Sequence, residues 1–167
     1  QIKLALEDSK TKPIIVTTHF SAENTVYGSK GYSAKSLRNL FNKYQNIIHF
    51  SGHSHYSLID ERSIWQNEFT SIQTQSISYI ELEKGFKTGD IPRDEYGSMY
   101  IAAKNYMGLI MDLTDNCCQI QRISFEKGQL YGEPWIIDIP INKNNFRYTL
   151  EKRVKERNPP IFKFKTE

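Results

Sequence analysis

The sequence predicts a mixed fold of the α/β (α+β) class, in which one βαβ unit precedes a series of mostly antiparallel strands. The first observation is a pair of short apolar, β-branched runs at residues 13–18 and 46–50, which are typical of buried strands. The second is a helical spacing of apolar residues between those runs. The third is a series of short β-rich runs separated by turn residues, from position 62 to the end of the 130s, which indicates antiparallel pairing.

Residues 34–44 are predicted to form the helix of the βαβ unit. Ser33 has the residue type of a helix N-cap. Because a helix that connects two strands of one sheet makes a crossover connection, the two flanking strands are expected to be parallel. The apolar residues of the segment recur with the i, i+3, i+4, i+7 spacing of one helical face: Leu37, Leu40, Phe41 and Tyr44.

The second part of the chain is predicted to consist of strands and hairpin turns. Residues 114–116 and 126–129 have turn composition, whereas residues 84–98, with three glycines and one proline, are expected to form a loop. Trp65 and Trp135 are predicted to lie in the core at strand ends. The predicted strands are 63–65, 69–74, 77–83, 99–103, 108–113, 118–125 and 134–139.

Length and charge limit the classes of function. A chain of 167 residues corresponds to about one domain, and we divide it into a folded part at 1–141 and a basic polar tail or linker at 142–167. Its 22 Lys and Arg and 19 Asp and Glu give a net charge of +3, so no nucleic-acid partner is indicated. The basic residues 152–157 are interpreted as a solvated face. No apolar run of 18 residues occurs, so no membrane segment is predicted. The adjacent Cys117 and Cys118 are not expected to form a disulfide with each other.

Three histidines follow the two strands of the predicted βαβ unit. His19 comes directly after the first strand, and His53 and His55 follow the second in the sequence Gly-His-Ser-His. Because ligands bind outside the carboxyl ends of parallel strands, we expect these three imidazoles to meet at one edge and to bind metal. Gly52 is expected to allow the sharp turn that directs the histidines inward. His49 lies inside the strand and is interpreted as a hydrogen-bonded core residue.

These motifs resemble the C-terminal half of the calcineurin-like metallophosphoesterase family. The matching segments are 13–19, ending in the lone histidine, and 47–55, ending in the GHxH motif. The strands from residue 62 onward are similar to those of bacterial members. The resemblance implies a four-layer β-sandwich fold, with 1–141 as the C-terminal portion of the domain. It also implies hydrolysis of a phosphorylated substrate, a phosphate mono- or diester, at two divalent ions (Mn, Fe or Zn). His19 and His53 would bind one ion and His55 the other.

The sequence lacks the other motifs of this family. No Asp-x-His and no Asn-His occurs. The segment most similar to GDxxD, Gly-Asp-x-x-x-Asp at 89–94, has one residue more between its aspartates, stands after GHxH and follows no buried strand, so we do not assign it to the site. Three neutral histidines supply no negative charge to offset two dications. We therefore expect the remaining ligands to come from a missing N-terminal half and this chain alone to be inactive, holding no ion or one weakly held ion. A sheet cut in this way would expose an edge, through which a dimer could form.

Two alternatives remain open at this point. The chain could be a non-catalytic, degenerate phosphoesterase-like module that binds a partner. It could also be a mononuclear zinc hydrolase that uses only the three histidines. Asn24 and Tyr27, in the loop after His19, are candidate substrate contacts, although a polar loop explains them equally well. Tyr106 is interpreted as a strand aromatic.

Overall fold

The strand–helix–strand order predicted for the start of the chain is present in the structure. A computed structural model describes residues 12–29, 33–77, 80–82, 87–88, 99–101, 106–149 and 162–163. The described part contains one α-helix, α1 (Lys35–Phe41), and 3-10 helices at Glu61–Ser63 and Lys143–Asn145. The strands are β1 (Ile14–Thr18), β2 (Ser21–Ala22), β3 (Ser33–Ala34), β4 (Ile47–Ser51), β5 (Ile64–Gln66), β6 (Thr70–Gln73), β7 (Ile80–Leu82), β8 (Lys87–Thr88), β9 (Met99–Ile101), β10 (Met107–Leu113), β11 (Cys117–Ser124), β12 (Gln129–Asp138) and β13 (Phe162–Lys163).

A four-stranded sheet, which we call the first sheet, carries the candidate site. Its strand order is β1-β4-β6-β5. β1 pairs in parallel with β4, and β4 in parallel with β6, whereas β5 and β6 are antiparallel. The predicted parallel βαβ unit is therefore confirmed, and β1 and β4 end at the same edge of the sheet.

The first sheet lies between two hydrophobic clusters. Since side chains alternate along a strand, Ile47 on β4 belongs to the cluster that includes Phe41 of α1, whereas Ile48 belongs to the other cluster. That other cluster also contains Ile120 of β11 and Trp135 of β12. The packing therefore has three layers, namely the helix, the first sheet and a second sheet.

The second sheet is an antiparallel meander with strand order β10-β11-β12. Both predicted hairpin turns are present, one between β10 and β11 and one between β11 and β12. β12 begins at Gln129, five residues before the predicted start at 134, and its pairing with β11 is interrupted between Ile120 and Arg122. The buried positions of β11 alternate along the strand, which is the pattern of a sheet covered on one face. Trp65 and Trp135 are buried, as predicted.

The helix is shorter than predicted. It begins after Ala34, whose side chain makes no capping hydrogen bond. Ser33, the predicted N-cap, does not cap the helix and instead pairs with Ser21 in the β2–β3 ladder. It ends at Phe41, and an i→i+3 bond from the Tyr44 N–H to the Phe41 carbonyl oxygen continues the chain as a turn. Tyr44 still packs against the helix-side cluster, so the predicted apolar face is retained.

The packed core extends beyond residue 141, although the tail was predicted to begin at residue 142. Phe146 and Tyr148 are buried in the cluster between the two sheets. The Gln66 N–H donates to the Tyr148 carbonyl oxygen at 3.0 Å, so β5 holds this segment in place. Residues 142–149 are therefore part of the fold. Lys87–Thr88, within the predicted loop, pairs in parallel with Phe162–Lys163, within the predicted tail.

The structure bears on the predicted lack of a membrane segment and of a disulfide. Several other interpretations concern residues that it does not describe. No helix among the described residues is long and apolar enough to cross a membrane. Cys117 and Cys118 are both free thiols. The basic segment 152–157, and Asp90 and Asp94 of the segment 89–94, lie outside the described residues.

The described residues thus form a mixed α+β fold that consists mostly of strands, arranged in parallel and antiparallel sheets.

Candidate metal centre

The carboxyl ends of β1 and β4 lie side by side, and this juxtaposition builds the site. Thr18 and Ser51 are the last paired residues of the two strands. The Gly52 N–H then donates to the His19 carbonyl oxygen at 3.1 Å. The two strands therefore remain joined one residue beyond the ladder, and the residues that follow them start from adjacent positions.

His19 and His53 meet at this edge. The Nε2 atom of His19 and the Nδ1 atom of His53 are 3.1 Å apart, and the ring centroids are 5.0 Å apart in an edge-to-face arrangement. The ring of Phe20 contacts both imidazoles, at centroid distances of 5.2 Å and 4.6 Å. Without a cation, one imidazole donates its N–H to the lone pair of the other.

The sharp turn after β4 is made by the histidines themselves. His53 has φ +70° and His55 has φ +55°, which is the left-handed region that L-residues usually avoid. Gly52 does not have a positive φ, and a Cβ atom there would meet its nearest neighbours at 3.8 Å and 3.9 Å, which is ordinary contact. The expectation that Gly52 provides the turn was therefore wrong. The site contains two strained positions, and strained backbone often accompanies function.

His55 does not join the other two histidines as a third ligand. Across the ranges that the structure describes, no three His, Cys, Asp or Glu side chains are placed so that they could share one ion. The edge therefore presents two ring nitrogens 3.1 Å apart, and within the described ranges the three histidines do not form a group that could hold one ion.

Polar side chains hold the loop after β4 against β6. The Ser54 hydroxyl donates to Gln73 Oε1 at 2.7 Å, and the Gln73 amide donates to the Tyr56 carbonyl oxygen. The Thr74 N–H donates to the Ser51 carbonyl oxygen at 2.8 Å. These bonds fix the backbone on both sides of His55, which offsets part of the cost of its left-handed conformation.

The two candidate substrate contacts occupy different environments. Asn24 is exposed, with φ +53°, and its carbonyl oxygen accepts from Arg38 at 3.3 Å. Tyr27 is buried, stacks on Tyr56 at 3.9 Å between ring centroids, and lies 3.7 Å from the guanidinium carbon of Arg62. The ring of Tyr27 is thus engaged in packing. A role for either residue in substrate binding stays a prediction.

His49 is buried beneath the site and fully hydrogen-bonded, as predicted. Its Nε2 atom is 2.8 Å from Thr18 Oγ1 and its Nδ1 atom is 3.2 Å from Ser71 Oγ. Burial lowers the pKa of His49 to about 4, because the charged imidazolium loses its hydration inside the protein. His49 is therefore neutral at physiological pH.

Sequence reasoning did not identify Thr18, Ser71 and Gln73 as supports of the site. The available signal was a set of polar residues in otherwise apolar strands, at positions where alternation directs them to the helix side. The role of these three residues follows only from the register of β1, β4 and β6.

Tyr106 lies immediately before β10 and is partly exposed.

The chain was compared with family models, curated proteins and solved structures. None of the three comparisons gives a match.

Proposed function

We propose that this chain supplies part of the metal centre of a metallophosphoesterase of the calcineurin-like kind, which hydrolyses phosphate mono- or diesters. In this proposal His19 and His53 bind one divalent ion (Mn, Fe or Zn) and His55 binds a second. The resemblance of residues 13–19 and 47–55 to that family supports the assignment, and so does the parallel βαβ unit that carries both segments.

The observation that carries the proposal is the separation of the two ring nitrogens. Imidazole nitrogens bind zinc at about 2.0–2.1 Å. Two of them on one ion, at angles between octahedral and tetrahedral, lie roughly 2.8–3.4 Å from each other. The measured 3.1 Å between His19 Nε2 and His53 Nδ1 falls within this range. The separation of the pair therefore matches that of two neighbouring ligands of one cation.

The donor set also indicates that this site is only part of a complete centre. Two neutral imidazoles carry no charge to balance a dication, and a dinuclear centre needs bridging carboxylates. When bound, two such ions supply positive charge that stabilises the phosphoryl oxygens and acidifies water. We propose that the carboxylates come from an N-terminal half of the domain, so that this chain alone holds one ion weakly and is inactive.

A zinc titration of the 167-residue chain tests this proposal. We expect one saturable site, seen as coupled shifts of the His19 and His53 ring resonances. Asn favours the left-handed conformation that His53 adopts, so His53→Asn removes the imidazole with little backbone cost. Both His53→Asn and His19→Ala should abolish the shift. His49→Gln is not suitable as a control because it alters the support of the site, whereas Asn144→Ala, at an exposed position far along the chain, should leave binding unchanged.

The result that would contradict the proposal is equally defined. If zinc, manganese and iron leave the ring resonances of His19 and His53 unchanged, the pair is a hydrogen-bonded couple and the metal assignment is wrong. Tight binding of two ions by the chain alone would show instead that further ligands are present and that the incomplete-site account is wrong.

A non-catalytic binding module is the second candidate function. It is favoured by the finding that the described part of the chain assembles no group of three metal-ligating side chains. The same observation disfavours a mononuclear zinc hydrolase built on the three histidines, because His55 does not converge with the other two. The encoded sequence upstream of Gln1 discriminates, since the enzyme reading requires DxH, GDxxD and GNH motifs there.

A further inference from the structure

We propose that His49 is a positioning residue for His19, acting as its Nε2–H tautomer through the Thr18 hydroxyl group. This inference rests on the proposed function, because it assigns His49 a role in presenting His19 to the ion. It concerns a residue beneath the edge rather than one of the ligands.

The direction of the hydrogen bonds follows from simple chemistry. Thr18 Oγ1 lies 2.6 Å from the Phe20 carbonyl oxygen, and a carbonyl oxygen can only accept, so the single hydroxyl proton of Thr18 is used there. Thr18 Oγ1 must then accept the bond from His49 Nε2 at 2.8 Å. Nε2 therefore carries a proton, and Nδ1 of neutral His49 accepts from the Ser71 hydroxyl at 3.2 Å.

The resulting chain of bonds ends on both sides of His19. It runs from Ser71 on β6 through His49 on β4 to Thr18 at the end of β1, and from there to the Phe20 carbonyl oxygen. Thr18 and Phe20 are the two neighbours of His19 in sequence, so the bond between them closes a tight turn around it. The carbonyl oxygen of His19 itself accepts a hydrogen bond from the Gly52 N–H at 3.1 Å.

The position of Phe20 links this turn to the second imidazole. The Phe20 ring contacts the rings of His19 and His53, although it is about half exposed and has little core packing to restrain it. The bond from the Thr18 hydroxyl to the Phe20 carbonyl oxygen is therefore a direct restraint on the backbone that carries this ring. His49 itself is fully buried and packs on Phe41 at 5.1 Å between centroids, so it is a rigid base for the chain of bonds.

Three variants of the full chain separate positioning from stability. Thr18→Val removes the hydroxyl at constant shape, so we expect a 10–100-fold loss of zinc affinity, the usual size of such outer-layer effects. Thr18→Ser should restore binding. Thr70→Val removes a buried hydroxyl on β6 that accepts from the Gln66 amide at 3.0 Å and lies outside this chain of bonds, so it should lower the thermal unfolding midpoint but leave zinc affinity unchanged. The probe is Zn²⁺ alone, followed by the His19 and His53 ring resonances.

A spectroscopic measurement tests the tautomer without metal. Long-range proton–nitrogen correlation of the histidine rings should show His49 protonated at Nε2 in the wild type. An Nδ1–H tautomer, or a Thr18→Val variant that binds zinc as tightly as the wild type, would overturn the inference. If the wild type binds no zinc, the proposed function fails on its own, and the nuclear Overhauser contacts of Phe20 with His53 decide the positioning role: their loss in Thr18→Val supports it, and their retention refutes it.

Discussion

His53 is the residue at which backbone strain and proposed chemistry coincide. Its φ of +70° is a conformation in which a Cβ atom costs about 1–2 kcal/mol. Its ring contacts the rings of His19 and Phe20, which are both exposed. Strained backbone positions of this kind cluster at functional sites, so the strain supports the proposed binding role of the His53 ring.

We predict that His53→Gly is more stable than His53→Ala by about 1 kcal/mol. Alanine usually stabilises relative to glycine, but here glycine relieves the left-handed strain and alanine does not. Urea unfolding of the two variants measures the difference directly, and both variants share the loss of the imidazole. An alanine variant as stable as the glycine variant would mean that the loop relaxes out of the left-handed conformation.

We predict that His49 makes the stability of the fold fall in acid. Burial lowers the pKa of His49 to about 4 in the folded protein, below its unfolded value of about 6.5, so the unfolded chain binds the proton more readily. This contribution to the free energy of unfolding is fully present above pH 6.5 and is lost as pH falls toward 4, by about 3 kcal/mol in total.

Urea unfolding at several pH values between 4 and 7 measures this loss. The His49→Gln variant, which keeps hydrogen-bonding groups but does not titrate, should show a flatter dependence over the same range. An identical slope in wild type and variant would assign the acid sensitivity to other groups.

At the scale of elements, the β11–β12 hairpin is shaped by a buried arginine. Arg122 is 1% exposed, and its guanidinium donates to the Glu61 carboxylate at 2.8 Å and to the Glu133 carbonyl oxygen at 3.0 Å. Trp135 donates its indole N–H to the other Glu61 oxygen at 2.7 Å. The second sheet is thus joined to the 3-10 helix that precedes β5. The interruption in β11–β12 pairing lies beside Arg122, which needs space inside the hairpin.

We predict that Gly132→Ala is more destabilising than Gly128→Ala by about 1–2 kcal/mol. Both glycines have positive φ, so both substitutions carry a backbone cost of about 1 kcal/mol. A Cβ atom at 132 would also meet the Arg122 guanidinium at 2.8 Å, whereas one at 128 meets nothing within 4 Å. Arg122 cannot withdraw without breaking its bonds. Thermal unfolding of the pair measures the difference, and equal effects would show that Arg122 yields.

At the scale of the whole molecule, one side of the two-sheet packing is open among the described strands. Within the ranges that the structure describes, β1 pairs with β4 alone and β10 with β11 alone. Ile15 on β1 and Ile110, Met111 and Leu113 on β10 are each about two-fifths to one-half exposed. An open groove joins the start of β1 to the β10–β11 turn and to the residues that follow β12. Its lining is Lys12, Pro13, Leu113, Thr114, Asp115, Ile139 and Pro140.

We predict that the β10 edge supports self-association of this chain. An exposed apolar edge strand is a template for pairing with another chain, and charged side chains prevent such pairing. Ile110→Lys should therefore shift the sedimentation behaviour of concentrated protein toward the monomer. Leu130→Lys is the matched control, because Leu130 is more exposed, at 61% against 49%, and lies on β12 at the opposite edge of the second sheet. If only the Leu130 variant shifts toward the monomer, the contact lies on the β12 edge and the prediction is wrong.

The order of strands around the helix and the place of the histidines could be predicted from the amino-acid sequence. Alternation, apolar spacing and turn residues act over a few positions, so they can be read along the chain. Parallel strands that flank a helix end at one edge, which is why His19 and His53, 34 positions apart, could be expected to meet. His49 as a bonded core residue followed from its place inside a strand.

The arrangement of the side chains at that edge depends on tertiary packing. The left-handed turns fall on His53 and His55 rather than on Gly52, and among the described residues the three histidines do not form a group that could hold one ion. The bonds that hold His49 join residues 31 and 22 positions apart, and the burial of Phe146 and Tyr148 depends on both sheets. Side-chain direction at a strand end and the partners of buried polar groups depend on neighbours from distant parts of the chain. Local patterns carry no information about those neighbours, because the contacts exist only once the sheets have packed.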